Sequence, residues 1–231
     1  MTIEQYNNRA IAWGLVSSLG MTSQEVAALL LRIGAVRVSV NPPFTWTSGM
    51  KSPIYCDNRM ILSFPEERSQ IVEALAEEVR KLSAQPHVIA GTATAGIGWA
   101  ALVADRLNLP MVYVRHKSKE YGGGKNIEGA LKQGSHVVVI EDLLSTGGSA
   151  VRTVDILRKE GGCSVLDVVA IFTYGFPKAE EEAQNAKIAL RTLSNFPTLL
   201  DVAREQGKLP EADIALASIF GKDPEGWGKE L

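Results

Sequence analysis

The run Val137-Val138-Val139-Ile140-Glu141-Asp142-Leu143-Leu144-Ser145-Thr146-Gly147-Gly148-Ser149 constrains this chain more than any other stretch. Four consecutive β-branched residues without polar alternation predict a strand buried on both faces of a parallel sheet. The strand is expected to end at the adjacent carboxylates Glu141 and Asp142. A short hydroxyl- and glycine-rich turn follows. Then, from Ala150 to Glu160, Val151, Val154 and Leu157 recur at helical spacing beside Arg152, Asp155, Arg158 and Lys159. The unit is therefore strand, acidic pair, small-residue loop, helix.

That order has a chemistry. Gly147 and Gly148 lack Cβ atoms and let backbone N–H groups approach an anion, while Ser145, Thr146 and Ser149 add hydroxyl donors. The helix behind them aims unpaired N–H groups and the positive end of its dipole at the same point, where a monophosphate fits. Glu141 and Asp142, on the other side of the turn, would repel a phosphate but accept hydrogen bonds from two neighbouring hydroxyls. A ribose 5-phosphate satisfies both halves. A Walker B strand also ends in acids, but it needs a P-loop. Here Gly91-Thr92-Ala93-Thr94-Ala95-Gly96-Ile97-Gly98 has the glycine spacing without the Lys-Ser/Thr that grips phosphate and metal, so that reading fails. The plain alternative is an ordinary strand-to-helix turn with a helix cap.

The segment resembles the 5-phosphoribosyl 1-diphosphate (PRPP) signature of type I phosphoribosyltransferases, a hydrophobic strand running into two acids and a Thr-Gly loop. Residues 141–149 (Glu141, Asp142, Leu143, Leu144, Ser145, Thr146, Gly147, Gly148 and Ser149) are by this resemblance PRPP-binding. The totals agree with an enzyme of that size: 231 residues at 45% apolar composition suit one large α/β domain. A net charge of −2 carries no electrostatic footprint for nucleic acid. Cys56 and Cys163 are too few for a disulfide framework and suit a reducing cytosol, and the histidines His87, His116 and His136 stand far apart in sequence. The N-terminus lacks a basic segment followed by an apolar run, and no stretch reaches the length of a membrane span, so the expectation is a soluble cytoplasmic protein.

Residues 4–19 and 22–33 have helical spacing, the second with a Thr22 or Ser23 cap, an apolar face of Val26, Leu29, Leu30 and Ile33, and Gly34 as a stop. A short strand at 36–40 precedes Phe44-Thr45-Trp46-Thr47-Ser48-Gly49-Met50-Lys51-Ser52-Pro53-Ile54-Tyr55-Cys56-Asp57-Asn58-Arg59, which spacing alone reads as a β-hairpin with a polar tip. It also resembles the N-terminal hood of orotate phosphoribosyltransferases through its Phe-Thr, Ser-Gly and Ser-Pro elements. Some family members carry a diphosphate-binding lysine just before Ser-Gly where this chain has Thr47, and Lys51 is the candidate substitute. Orotate is a flat anion, and Lys51 and Arg59 are the local cations; with Ser145 they are the expected orotate-binding residues.

Pro65 opens a helix whose buried stripe is Ile71, Leu75, Val79 and Leu82. A strand at 88–90 runs into the small residues of 91–96, which serve either tight helix–sheet packing or approach to a ligand, and a helix spans about 97–108. The strand 110–114 delivers Arg115-His116-Lys117-Ser118-Lys119-Glu120-Tyr121-Gly122-Gly123-Gly124-Lys125-Asn126-Ile127-Glu128-Gly129, a glycine-rich cationic flap or, on composition alone, a solvated hairpin. It resembles the catalytic loop of orotate phosphoribosyltransferases. By that resemblance Arg115 and Lys119 bind the diphosphate, Lys117 is a further basic contact, Glu120 replaces an aspartate, and Tyr121 stands where the family has histidine, keeping a hydroxyl but losing a titratable donor. Lys119, Glu141 and Asp142 are the expected catalytic residues, and Lys119 of one chain is expected to serve the site of the other in a homodimer.

A buried strand at 165–174 follows the central helix. Beyond it come a helix, a strand at 188–193, an Asn195-capped helix and a helical piece at 211–219. The expected architecture is an α/β type I phosphoribosyltransferase fold: a parallel-rich sheet flanked by helices, as one domain over 1–231. Its parts are N-terminal helices and hood (1–62), PRPP-binding core (63–177) and C-terminal extension (178–231). The resemblance implies transfer of the phosphoribosyl group from PRPP to orotate with Mg²⁺ carried through PRPP. A related enzyme acting on a purine or uracil shares the PRPP motif. A PRPP-sensing regulator would want a basic recognition helix, which the slightly acidic N-terminal segments do not supply.

Overall fold

The computed structural model describes residues 20–116 and 125–228; the predicted helix at 4–19 lies outside them. Helix α1 (Ser23–Arg32) starts at a reciprocal cap. Thr22 Oγ1 accepts from the Glu25 N–H while the Glu25 carboxylate accepts from the Thr22 N–H, satisfying two otherwise orphaned donors. Gly34, at φ +74°, turns the chain out of the helix. Four short strands follow, β1 (Val36–Val38), β2 (Phe44–Thr45), β3 (Lys51–Ser52) and β4 (Ile54–Cys56), paired antiparallel as β1 with β4 and β2 with β3. The predicted hairpin is thus doubled. A 3₁₀ helix, Asn58–Ser63, comes next without a sequence expectation behind it; Asp57 caps it by accepting from the Arg59 N–H.

Helix α2 (Pro65–Arg80) takes Pro65 in its first turn, where the missing N–H costs nothing. The core then alternates: β5 (Val88–Thr92), α3 (Ala95–Leu107), β6 (Met111–Val114), β7 (Ile127–Glu128), β8 (His136–Leu144), α4 (Gly148–Lys159), β9 (Ser164–Thr173), α5 (Pro177–Asn185), β10 (Leu190–Asn195), α6 (Phe196–Glu205) and α7 (Glu211–Lys222). The six-stranded sheet runs β10-β9-β8-β5-β6-β7, parallel except for β7. The parallel-rich sheet flanked by helices expected from the sequence is this one.

Val137 to Ile140 are fully buried, as the unbroken β-branched run requires. Their alternation divides the core: Val138 and Ile140 join α1, α2, α3, α6 and α7 on one face, and Val137 and Val139 join α4 on the other. Element ends shift by a few residues in several places, and one shift bears on the site. The strand continues past the acidic pair to Leu144, because β9 is long enough to pair Leu143 with Phe172 and Leu144 with Thr173. The acids therefore ride on a hydrogen-bonded ladder rather than at the start of a loop. The C-terminal residues are woven in as well: β10 is the sheet's edge, and Ser194 Oγ donates to the Ser23 carbonyl at 2.9 Å. His87 and His136, distant in sequence, stack at 4.8 Å at the opposite ends of β5 and β8 from the acids. No described helix is long and apolar enough to cross a membrane.

Candidate active site

From β5 the chain moves to β6 on one side, and from β8 it moves through β9 to β10 on the other. The carboxyl ends of β5 and β8 therefore form a topological switch point, the place where open α/β sheets leave a crevice. Glu141 and Asp142 sit there. Glu141 is buried, at 4% exposure. Ser149 Oγ donates to its Oε2 at 3.2 Å, and the Asp142 N–H donates to its Oε1 at 3.2 Å. Burial, reinforced by the neighbouring Asp142 charge, pushes the Glu141 carboxyl up to about 8. Burial raises Asp142 above the usual carboxylate range too. Burial thus favours holding a proton on the acidic pair, and a ligand that brings hydrogen-bond donors or positive charge would favour its ionised form.

The loop after β8 is shaped by packing as much as by donors. Gly147 has φ +77°, and a Cβ there would stand 3.2 Å from the Ala179 Cα and 3.4 Å from its carbonyl oxygen, so both conformation and space call for glycine. Helix α4 opens at Gly148 without a side-chain cap, leaving its first N–H groups facing the loop. Thr146, Gly148 and Ser149 are exposed and Ser145 half-buried. Leu144 is different: its side chain is core and its carbonyl already accepts from the Tyr174 N–H and Thr173 Oγ1. Beside the pair, Gly96 approaches β8 so closely that a Cβ would lie 2.6 Å from the Ile140 carbonyl, and one on Gly91 would lie 2.9 Å from Ala100 Cβ. Of the two uses the sequence left open for residues 91–96, tight helix–sheet packing accounts for both glycines.

The hood closes one side. Trp46 stacks on Tyr174 at 5.1 Å, meets Phe220 edge-on at 5.7 Å and donates from Nε1 to the Ile54 carbonyl. Tyr174, directly after β9, is buried, and this desolvation holds its phenol well above the usual range. From the end of the hood, the Asn58 side chain donates from Nδ2 to the Asp142 carbonyl at 2.6 Å. Arg59 is clamped to Asp57 through Nε and Nη2 at 2.6 and 2.9 Å, which holds the Asp57 carboxyl below its ordinary range, and the guanidinium lies close enough to Asp142 to favour that residue's charged form. Lys51 is elsewhere. Its ammonium donates to Thr45 Oγ1 at 2.9 Å, and its side chain lines a shallow pocket with Ser48, Met50, Glu225 and Trp227.

At the stem of the flap, the Arg115 N–H donates to the Asn126 carbonyl and its guanidinium is paired with Glu128 at 3.4 Å. Lys117, Lys119 and Tyr121 lie outside the described residues. The structure thus gathers Arg59, Glu141, Asp142 and residues 145–149 at one crevice, and among the described residues the hydrogen bond of the Lys51 ammonium goes to Thr45 instead. Sequence reasoning missed three neighbours. Asn58 and Tyr174 act through contacts far away along the chain. His116 is hydrogen-bonded to Thr153 Oγ1 on α4 at 3.0 Å, and burial and Arg152 keep its imidazole below its usual value. For His116 the available signal was its place beside Arg115 at the strand end.

Residues 59–196 match the family model described as Phosphoribosyl transferase domain. The chain is 49% identical over 207 residues to the orotate phosphoribosyltransferase of Enterococcus faecalis, covering 90% of this chain and 98% of that protein. It is 50% identical over 206 residues to that of Bacillus cytotoxicus, covering 88% and 98%. Among solved structures, the orotate phosphoribosyltransferase of Aeropyrum pernix superposes with a TM-score of 0.67 at 29% identity, over 80% of this chain and 99% of that one. An acidic pair and phosphate-sized loop at the switch point, beneath a hood that continues into the matched region, together with half the residues shared over nearly the full length of these relatives, make this chain a member of the orotate phosphoribosyltransferase family.

Proposed function

We propose that the protein transfers the 5-phosphoribosyl group from PRPP to orotate, giving orotidine 5′-monophosphate and diphosphate for pyrimidine synthesis. The observation that carries this reading is the pair of buried Glu141 and half-buried Asp142 set beside the Ser145–Ser149 loop at the switch point. Backbone N–H groups of that loop and of the first turn of α4 hold the 5′-phosphate. Glu141 and Asp142 accept hydrogen bonds from the ribose hydroxyls. As the C1–O bond to diphosphate breaks and a ring nitrogen of orotate bonds to C1, positive charge grows on the ribosyl group, and a carboxylate pair in a low-dielectric crevice stabilises it. Diphosphate leaves with the bonding electrons, and the proton on the attacking ring nitrogen is given up to the departing diphosphate or to water.

Arg115, Lys117, Lys119 and Tyr121 meet the diphosphate, with Lys119 reaching the site of a partner copy in a homodimer. Ser145, Lys51 and Arg59 are the residues assigned to orotate; Arg59 already stands beside Asp142, and Lys51 would have to release Thr45. Mg²⁺ suits this donor set, because it keeps most of its shell as substrate oxygens and water, and Glu141 and Asp142 would hold it through the ribose hydroxyls. When bound, the ion neutralises charge on the leaving diphosphate. The enzyme is expected to work in the cytoplasm.

The test is the loss of orotate absorbance with PRPP and Mg²⁺, for the wild type and for Lys119→Ala. The wild type should consume orotate, and the variant should lose on the order of 10²–10³-fold in turnover, the usual effect of removing one transition-state donor. Ribosylation of adenine, hypoxanthine or uracil with orotate untouched would overturn the choice of base; PRPP binding with no base consumed would overturn the enzymatic reading.

A further inference from the structure

We propose that Asn58 is a positioning residue for the acidic pair, holding the Asp142 peptide so that both carboxyl groups face the ribose. The proposal rests on the reading that this pair meets the ribose hydroxyls. Strand β5 accompanies β8 only from Val88 to Gly91, opposite Val137 to Ile140. Two residues further along β8, the Asp142 carbonyl is bonded instead by a side chain, the Asn58 amide at 2.6 Å, from 84 residues away in sequence. Asn58 is fully buried, and both ends of its amide are used: Nδ2 donates to Asp142, and Oδ1 accepts from the Cys56 thiol at 3.4 Å. An amide committed at both ends cannot rotate without leaving a buried group unpaired.

The Asp142 N–H, in the peptide on the other side of its Cα, donates to Glu141 Oε1, so the Asp142 backbone is held on both sides, by the neighbouring acid and by Asn58. Asn58 touches no expected substrate atom; it acts through Asp142. Its neighbours serve other purposes. Asp57 caps the 3₁₀ helix and clamps Arg59, and the Trp46–Tyr174 stack seats the hood in addition to the bond between the Cys56 thiol and Asn58. The hood therefore has a second anchor, and loss of the Asn58 amide should be felt more at the ribose than at the base.

The experiment measures PRPP binding by calorimetry with Mg²⁺ and without any base, the KM for orotate, and thermal unfolding, for wild type, Asn58→Ala and Asn58→Asp. The aspartate variant fills the same volume and places an acceptor where the donor was, so it reports even if truncation to alanine fails to fold. Expected results are a PRPP dissociation constant raised about tenfold in Asn58→Ala, which corresponds to about 1.4 kcal/mol, and raised further in Asn58→Asp, with the orotate KM within about threefold of wild type. Unchanged PRPP binding in both variants overturns the proposal. So does a parallel rise in the PRPP constant and the orotate KM, because that is the signature of a loosened hood. Because the calorimetry contains no base, a wild type that ignores orotate refutes the choice of base and leaves the Asn58 comparison intact.

Discussion

Replacing Glu141 by glutamine tests the cost of burying an acid in the crevice. The glutamine keeps the volume; its one oxygen can accept from the Asp142 N–H while its amide nitrogen donates to a turned Ser149 hydroxyl, and it cannot ionise. In the folded wild type, burial first and the Asp142 charge second push the Glu141 carboxyl from an ordinary 4.5 up to about 8. The folded state then binds the proton more tightly than the unfolded chain does. The resulting stability is complete below pH 4.5 and is lost as pH rises to about 8. At about 1.4 kcal/mol per pH unit over that window, the wild type should lose up to about 5 kcal/mol relative to the variant. Urea unfolding of ligand-free protein at pH 5, 7 and 9 reads the titration of the acidic pair, because Asp142 is coupled to Glu141 and its own ionisation shifts in the variant while the groups outside the pair are common to both proteins. Parallel profiles for wild type and Glu141→Gln would refute the reasoning, for they would mean that the carboxyl ionises in the fold as readily as in water.

Gly147→Ala should destabilise the fold by about 1–2 kcal/mol, the cost of a left-handed conformation for an L-residue, and weaken PRPP binding as the loop shifts away from Ala179. Urea midpoints and calorimetry check this, and unchanged PRPP affinity would refute it. Trp46→Ala removes the half-buried ring that seats the hood on Tyr174 and Phe220. It should cost about 2–3 kcal/mol, below the range for a fully buried tryptophan, and raise the orotate KM while sparing PRPP affinity. A PRPP constant that moves with the orotate KM would refute that division of labour.

Local pattern was enough to place the central features of this protein. An unbroken β-branched run has one comfortable home, a strand covered on both faces, and the glycine- and hydroxyl-rich turn behind it can form around a phosphate without help from distant residues. Helix α1 with its reciprocal cap, Pro65 at the head of α2 and Asn195 at the head of α6 were legible for the same reason: each is settled within four residues. The length of β8 was not, because its last rungs exist only where Phe172 and Thr173 lie alongside. The short-range pattern also could not separate packing from ligand contact at Gly91 and Gly96, a question answered by how near Ala100 and the Ile140 carbonyl come. The same holds for the Glu141 carboxyl, whose proton affinity comes from burial, and for Asn58, whose partner is 84 residues away. Charge solvation and long-range hydrogen bonding depend on what surrounds a group in space, and a chain written in order carries that only implicitly.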